Sequence, residues 1–272
     1  MTSKIATVNE NLRVNVGQLD MPPRLLLGPG PSNAHPRVLQ ALSMRQVGHL
    51  DPSFIQVMDD VQDLLRYTWQ ISDGFTLAIS GTGSAAMEAS IANTVEPGDV
   101  VLVAVIGYFG ERLVEMARRY GAEVHVIEKR WGEAFSIEEL RSAVEKYRPA
   151  ILGLVHGETS TGVMQPLEGI GELCREFDCL LLVDAVTSLA TAPLLFDEWK
   201  IDIAYSCSQK GLSCPPGLGP LAFGPRALEK IQNRESTVRS WYLDVNMLIN
   251  YWDGDTRRYH HTAPINMNYA LR

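Results

Sequence analysis

The sequence predicts an α/β fold in three layers, with helices covering both faces of a mainly parallel sheet. Three observations predict it. Apolar runs rich in Val, Ile and Leu alternate with stretches of helical periodicity along most of the chain. The runs lack the in/out alternation of a half-exposed sheet, which marks strands buried on both faces. Their downstream ends carry clusters of Gly, Ser, Thr and aromatic residues, where ligands collect in such sheets. With 272 residues, the chain is long enough for one large α/β domain, or for a large and a small one.

Residues 1–22 are polar and aperiodic and read as an N-terminal arm, either disordered or laid on a partner. Residues 25–32, Leu-Leu-Leu-Gly-Pro-Gly-Pro-Ser, admit neither helix nor strand and predict a rigid irregular loop. Helices are expected over 36–45, with Pro36 in the first turn, and over 53–70, where Phe54, Val57, Met58, Val61, Leu64 and Leu65 share a face. A strand over 75–79 runs into Ser80-Gly81-Thr82-Gly83-Ser84 and then into a helix over 85–93. Strand, small Gly-rich turn and helix together aim backbone N–H groups at a phosphate. The turn is not a Walker A loop, because no Gly-Lys-Ser/Thr follows, and it lacks the full GxGxxG dinucleotide fingerprint.

The next strand, 100–106, ends at Gly107-Tyr108-Phe109-Gly110, and a helix is expected over 111–120 with Gly121 behind it. A strand over 122–127 follows. Ser136 and Glu139 make a capping box for a helix to about residue 148. The strand 150–155 leads to His156-Gly157-Glu158-Thr159-Ser160, and Pro166 is expected to open a helix. Strands over 179–184 and 201–205 end at Asp184 and shortly before Lys210; residues 221–224 and a helix over 226–234 close the regular part. Beyond it the pattern weakens into dense aromatics, Trp241-Tyr242, Tyr251-Trp252 and Tyr259-His260-His261, read as core or subunit interface.

Composition narrows the function. A net charge of −8 and a pI near 5.3 argue against nucleic acid or an anionic membrane as partner. The four cysteines, Cys174, Cys179, Cys207 and Cys214, have no CxxC spacing and no histidine to complete a metal set. Reduced thiols in a cytoplasmic protein are expected, with no metal. The N-terminus lacks the apolar segment of a signal peptide, and no apolar run is long enough to span a membrane.

The chemistry concentrates at Ser208-Gln209-Lys210-Gly211. A lysine at the mouth of a strand, flanked by hydroxyls and an amide, is suited to a Schiff base, which needs an amine held in a semi-buried pocket. Taken alone it reads as an ordinary loop lysine. Asp184, at the end of another expected strand, changes that reading. A strand-end carboxylate and a strand-end lysine are the two fixed points of a pyridoxal-phosphate site, one pairing with the ring nitrogen and the other with the aldehyde carbon.

These segments closely resemble the fold-type I pyridoxal-phosphate enzymes, and within them the class V aminotransferases of the alanine–glyoxylate and serine–pyruvate type. The resemblance is carried by residues 25–33, 80–89, 156–167 (His-Gly-Glu-Thr-Ser-Thr-Gly-Val-Met-Gln-Pro-Leu), 180–186, 208–210 and 259–264 (Tyr-His-His-Thr-Ala-Pro), in the family's order along nearly the whole chain. It implies an aspartate-aminotransferase-like large domain over 23–272, and pyridoxal 5′-phosphate bound to Lys210 with Asp184 on the pyridine nitrogen. Thr82, Gly83 and Ser84 would hold the phosphate with Gln209 beside them. Phe109 would stack on the ring, where relatives often carry Trp, and Thr159 would lie near the ring oxygen. Tyr259 and Thr262 match residues that reach the neighbouring subunit's phosphate, which implies a homodimer with shared sites; His260 and His261 are read as structural. The implied reaction moves the amino group of alanine, or of serine, to glyoxylate by a ping-pong path, with Lys210 as general base.

The family continues into a smaller C-terminal domain that supplies the arginine for the substrate carboxylate. This chain stops at Arg272 with no residue assignable to that role, so a fragment is expected. Other readings compete. A cysteine desulfurase or other lyase on the same cofactor needs a mobile cysteine in the C-terminal part, where this chain has none. A non-catalytic cofactor-binding homologue sits poorly with the intact Lys210 and Asp184. A Rossmann dehydrogenase lacks its glycine fingerprint and its ribose-binding acid.

Overall fold

The computed structural model of the chain describes residues 9–254 and 256–272; the first eight residues of the expected arm, and Asp255, lie outside them. The described part of the arm is exposed and irregular apart from a 3-10 turn at Glu10–Leu12. Helices α1 (Pro36–Leu42) and α2 (Pro52–Trp69) each start with proline, and Asp51 caps α2 by accepting from Ser53 N–H at 2.8 Å. The stripe Phe54, Met58, Val61 and Leu65 faces the core, while Leu64, on its flank, stays 45% exposed.

The alternation then follows in order: β1 (Phe75–Ser80), α3 (Gly83–Thr94), β2 (Val100–Val105), α4 (Tyr108–Arg119), β3 (Glu123–Glu128), α5 (Ile137–Tyr147) and β4 (Ile151–Val155). The capping box on α5 is formed in both directions between Ser136 and Glu139. A two-residue hairpin pairs β5 (Gly157–Glu158) with β6 (Val163–Met164). After it come α6 (Ile170–Glu176), β7 (Leu180–Asp184), β8 (Ile203–Tyr205), β9 (Leu218–Phe223), α7 (Pro225–Gln232), α8 (Val245–Trp252) and α9 (Ile265–Leu271).

Seven strands form one sheet in the order β1-β9-β8-β7-β4-β2-β3. Only β9 runs against its neighbours, β1 and β8; every other pairing is parallel. The order fixes the layers. The crossovers β1→β2 and β2→β3 travel one way across the sheet, and β3→β4, β4→β7 and β7→β8 travel the other. Right-handed crossovers therefore put α3 and α4 on one face and α5 and α6 on the opposite face. Contacts of α3 with α4, and of α5 with α6, agree. The central strands β4, β7, β8 and β9 are buried throughout, whereas the edge strand β3 is half-exposed. At the amino ends of β7 and β8, buried Asp202 accepts from Leu181 N–H at 2.9 Å and from Arg226 at 3.0 Å, fixing the end of the sheet away from the site.

Four details depart from expectation. Helix α3 starts two residues early, at Gly83, so the small residues of the turn are its first turn. Helix α4 starts at Tyr108, placing Phe109 on a helix instead of in a loop. Pro166 opens no helix; α6 begins after Gly169, which takes φ +80°. The aromatic-rich end contains two further helices: α8 buries Tyr251 and Trp252, while Trp241, Tyr242 and Tyr259 stay on the surface.

Candidate active site

The carboxyl ends of β1, β2, β4, β7 and β8 open into a cleft of about 210 Å³ lined by Thr82, Gly83, Ser84, Met87, Phe109, Arg112, Thr159, Asp184, Val186, Cys207, Gln209 and Lys210. Asp184 forms its floor. It ends β7 and stands level with Tyr205 of β8, whose phenol donates to Asp184 Oδ2 at 2.7 Å. Val186 N–H donates to Oδ1 at 2.9 Å. The carboxyl is 2% exposed, and burial raises its pKa from 3.8 to about 6 against these two hydrogen bonds. A cation brought to this floor would reverse that shift.

The opposite end is built by α3. Thr82 is its N-cap, in an extended conformation, but makes no side-chain capping hydrogen bond. Ala85 N–H turns back to the Thr82 carbonyl at 2.9 Å, and the N–H groups of Gly83 and Ser84 are left for an external acceptor. Gly83 is required by packing: a Cβ there would lie 2.8 Å from Cys207 Cβ. Gln209 Oε1 is buried with no hydrogen-bond partner among the described residues; this oxygen calls for a donor, and only the Nε2 end of the same amide could meet a phosphate oxygen.

Lys210 lies half-buried on the wall between these ends, in the turn after β8. Its Nζ donates to the Pro29 carbonyl, and Ser32 Oγ donates to the Lys210 carbonyl at 2.9 Å. Thr159 lines the cleft from the turn after β5.

Phe109 is held by a residue the sequence reading passed over. Glu158, 1% exposed, accepts from Phe109 N–H at 3.0 Å, Gly110 N–H at 3.4 Å, Ser160 N–H at 3.0 Å and Ser160 Oγ at 2.7 Å. This carboxylate caps α4 from a distant strand end, which is why the helix starts at Tyr108. Arg112, one turn along, lies 5.0 Å from the Phe109 ring centroid and within 3.5 Å of Ser84 Oγ. Its place in the cleft follows from helical phasing once α4 starts at Tyr108. Tyr205 was legible only as a strand residue; its register with Asp184 assigns it to the site.

Eight of the ten residues singled out from the sequence thus meet in one cleft. Tyr259 and Thr262 do not reach it. They lie on the surface with their hydroxyls 3.5 Å apart, and Tyr259 packs on His49 at 4.8 Å between ring centroids. His260 and His261 tie that segment to β1: their Nδ1 atoms are 2.8 Å apart, and His261 Nε2 is 2.6 Å from Ser80 Oγ. Burial lowers the pKa of His261 to about 4, so its ring is neutral at physiological pH. The two cysteines near the lysine turn, Cys207 and Cys214, are buried, and burial pushes both thiols up to about 11; neither is a ready nucleophile. An uncapped helix end, an aromatic face, a buried carboxylate and a lysine suit a phosphorylated pyridine aldehyde.

Comparison with known proteins places the chain in a family. The sequence model of the family described as Aminotransferase class-V matches residues 26–272. The alanine–glyoxylate aminotransferase of Oryctolagus cuniculus is 46% identical over 92% of this chain and 64% of its own length. The (S)-ureidoglycine–glyoxylate transaminase of Bacillus subtilis (strain 168) is 39% identical over 94% of this chain and 65% of its own length. Among solved structures, the alanine–glyoxylate aminotransferase of Nostoc sp. superposes with a TM-score of 0.95 at 63% identity, covering 98% of this chain and 70% of that one. The chain therefore spans a little under two thirds of the length of these curated relatives.

Proposed function

The chain belongs to the class V aminotransferases, and from that membership we propose that it moves the amino group of L-alanine to glyoxylate on pyridoxal 5′-phosphate. One observation carries the reading: Lys210, Asp184, Phe109 and the uncapped end of α3, far apart in sequence, line a single cleft. The names of the relatives support alanine and glyoxylate; serine is the second candidate donor.

When bound, the cofactor supplies an electron sink for the pair left behind as the amino acid loses its Cα proton. Thr82, Gly83, Ser84 and Gln209 would hold its phosphate. Phe109 would cover one face of the ring, a stacking surface without the N–H of an indole. Asp184, as a carboxylate, would keep the proton on the ring nitrogen; Tyr205 and Val186 N–H hold its carboxyl group in place. Lys210 would anchor the aldehyde carbon, and its Nζ, when free, would take the Cα proton of the donor. Donor and acceptor would exchange the amino group through one cofactor in one cleft, so they would use it in turn, with ping-pong kinetics.

The working unit on this reading is a homodimer. Tyr259 and Thr262 are exposed and away from their own cleft, free to complete a neighbour's. Leu25 and Leu27, 78% and 85% exposed beside the cleft loop, are apolar surface for a second copy to cover. Four buried free thiols favour a cytoplasmic setting.

The test is the half-reaction. Protein loaded with pyridoxal phosphate and given L-alanine should release pyruvate stoichiometrically, and glyoxylate should then yield glycine. Release of hydroxypyruvate from L-serine with no pyruvate from L-alanine would replace the donor, and release of neither keto acid would overturn the reading.

A further inference from the structure

Lys210 is fastened to a loop far upstream that no step above uses. Ser32 N–H donates to the Gln209 carbonyl at 2.9 Å, and Ser32 Oγ reaches the Lys210 carbonyl at 2.9 Å and the Gln209 carbonyl at 3.2 Å. At the far end of the side chain, Lys210 Nζ donates to the Pro29 carbonyl. Between these contacts sits Gly30, at φ +126°, where a Cβ would overlap Lys210 Nζ. The loop is closed on itself by Asn33, whose side chain accepts from Leu26 N–H at 2.8 Å and donates to the Arg24 carbonyl at 2.9 Å.

We propose that Ser32 is a positioning residue for Lys210, and that the Pro29 carbonyl is the place where its amine rests when it is not joined to another group. A lysine side chain has four rotatable bonds and no shape of its own to hold it. A lysine that binds, releases and moves a proton must return its Nζ to the same point each time. Backbone contacts at Ser32 fix where the side chain starts, and the Pro29 oxygen fixes where it ends. Two features of Gly-Pro-Gly-Pro-Ser gain a reason. Gly30 leaves the space the amine occupies, and Ser32 supplies a hydroxyl within reach of two successive carbonyls. The proposal rests on the reading of Lys210 as the anchoring amine, and its test separates the two.

The protein without cofactor is treated with a trace of acetic anhydride, and acetylation of Lys210 is measured by mass spectrometry against exposed Lys146 as internal reference. In parallel, the growth of the visible band on adding pyridoxal phosphate gives the capture rate. In Ser32→Ala the Lys210/Lys146 ratio should rise about fivefold and capture should slow by about the same factor, the weight of one net hydrogen bond. Ser32→Thr keeps the hydroxyl and should restore both values. Gly30→Ala puts a methyl group in place of the amine and should shift both readouts further. A merely destabilised protein would also raise labelling of half-buried Lys230 against Lys146, so the Lys230/Lys146 ratio is read as the control and should stay unchanged in Ser32→Ala. An unchanged Lys210/Lys146 ratio in both Ser32→Ala and Gly30→Ala overturns the proposal, as does Ser32→Thr behaving like Ser32→Ala. Absence of the band in wild type counts against the anchoring reading, and the labelling ratios then still judge the loop.

Discussion

At Asp184, burial and hydrogen bonding pull in opposite directions, and burial wins: the carboxyl titrates near pH 6 instead of 3.8. The folded protein without cofactor keeps this proton at pH values where the unfolded chain has lost it. Its contribution to stability is thus full below about pH 4 and lost as the pH rises through about 6. Asp184→Asn should remove that loss. Two pH units correspond to roughly 3 kcal/mol, and an amide gives back about 1 kcal/mol in poorer hydrogen bonding. The cofactor-free variant should therefore resist urea better than wild type at pH 7.5 by about 2 kcal/mol, with no gain at pH 4, while binding pyridoxal phosphate more weakly. Equal stability at both pH values would contradict it. Lys210 and Asp184 were legible in the sequence because each stands at the end of an apolar run. Tyr205 and Glu158 were not, because their roles come from strand register and from a contact across 49 positions of chain.

Element boundaries decide how the cleft is assembled. The small residues after β1 were legible as a turn between strand and helix, yet their place in the first turn of α3 was not, since Gly and Ser are poor helix formers. Here Gly83 is set by its approach to Cys207. Gly83→Ala should push α3 away from the turn after β8 and weaken cofactor binding at least tenfold, read by equilibrium titration; unchanged affinity would remove the close approach from the account of the site. The start of α4 was misplaced for a related reason: its cap, Glu158, comes from another strand end. Glu158→Ala strands four donors without their acceptor and should cost about 2–4 kcal/mol in urea unfolding. Amide exchange should rise at Phe109 and Gly110 before it rises in the sheet. Exchange that rises uniformly would mean that Glu158 does not anchor α4 in particular.

Across the whole molecule, the parallel order of the sheet was legible because buried strands read as continuous apolar runs. The antiparallel β9 was not, because nothing in its sequence states direction. The exposed Tyr259 and Thr262 make the proposed dimer testable. A Lys210→Ala protein mixed and reassembled with a Tyr259→Phe, Thr262→Ala protein should contain one intact site per mixed dimer, and cofactor retention should exceed that of either parent; no recovery on mixing would argue against shared sites. Everything in the proposed chemistry depends on Lys210 capturing the cofactor. The measurement to make is therefore the absorption spectrum with pyridoxal phosphate, wild type beside Lys210→Ala, followed by borohydride reduction and peptide mass analysis. The expected result is a visible band in wild type alone that reduction fixes to the peptide containing Lys210. A band that persists in Lys210→Ala, or a label on another lysine, would contradict the site as described.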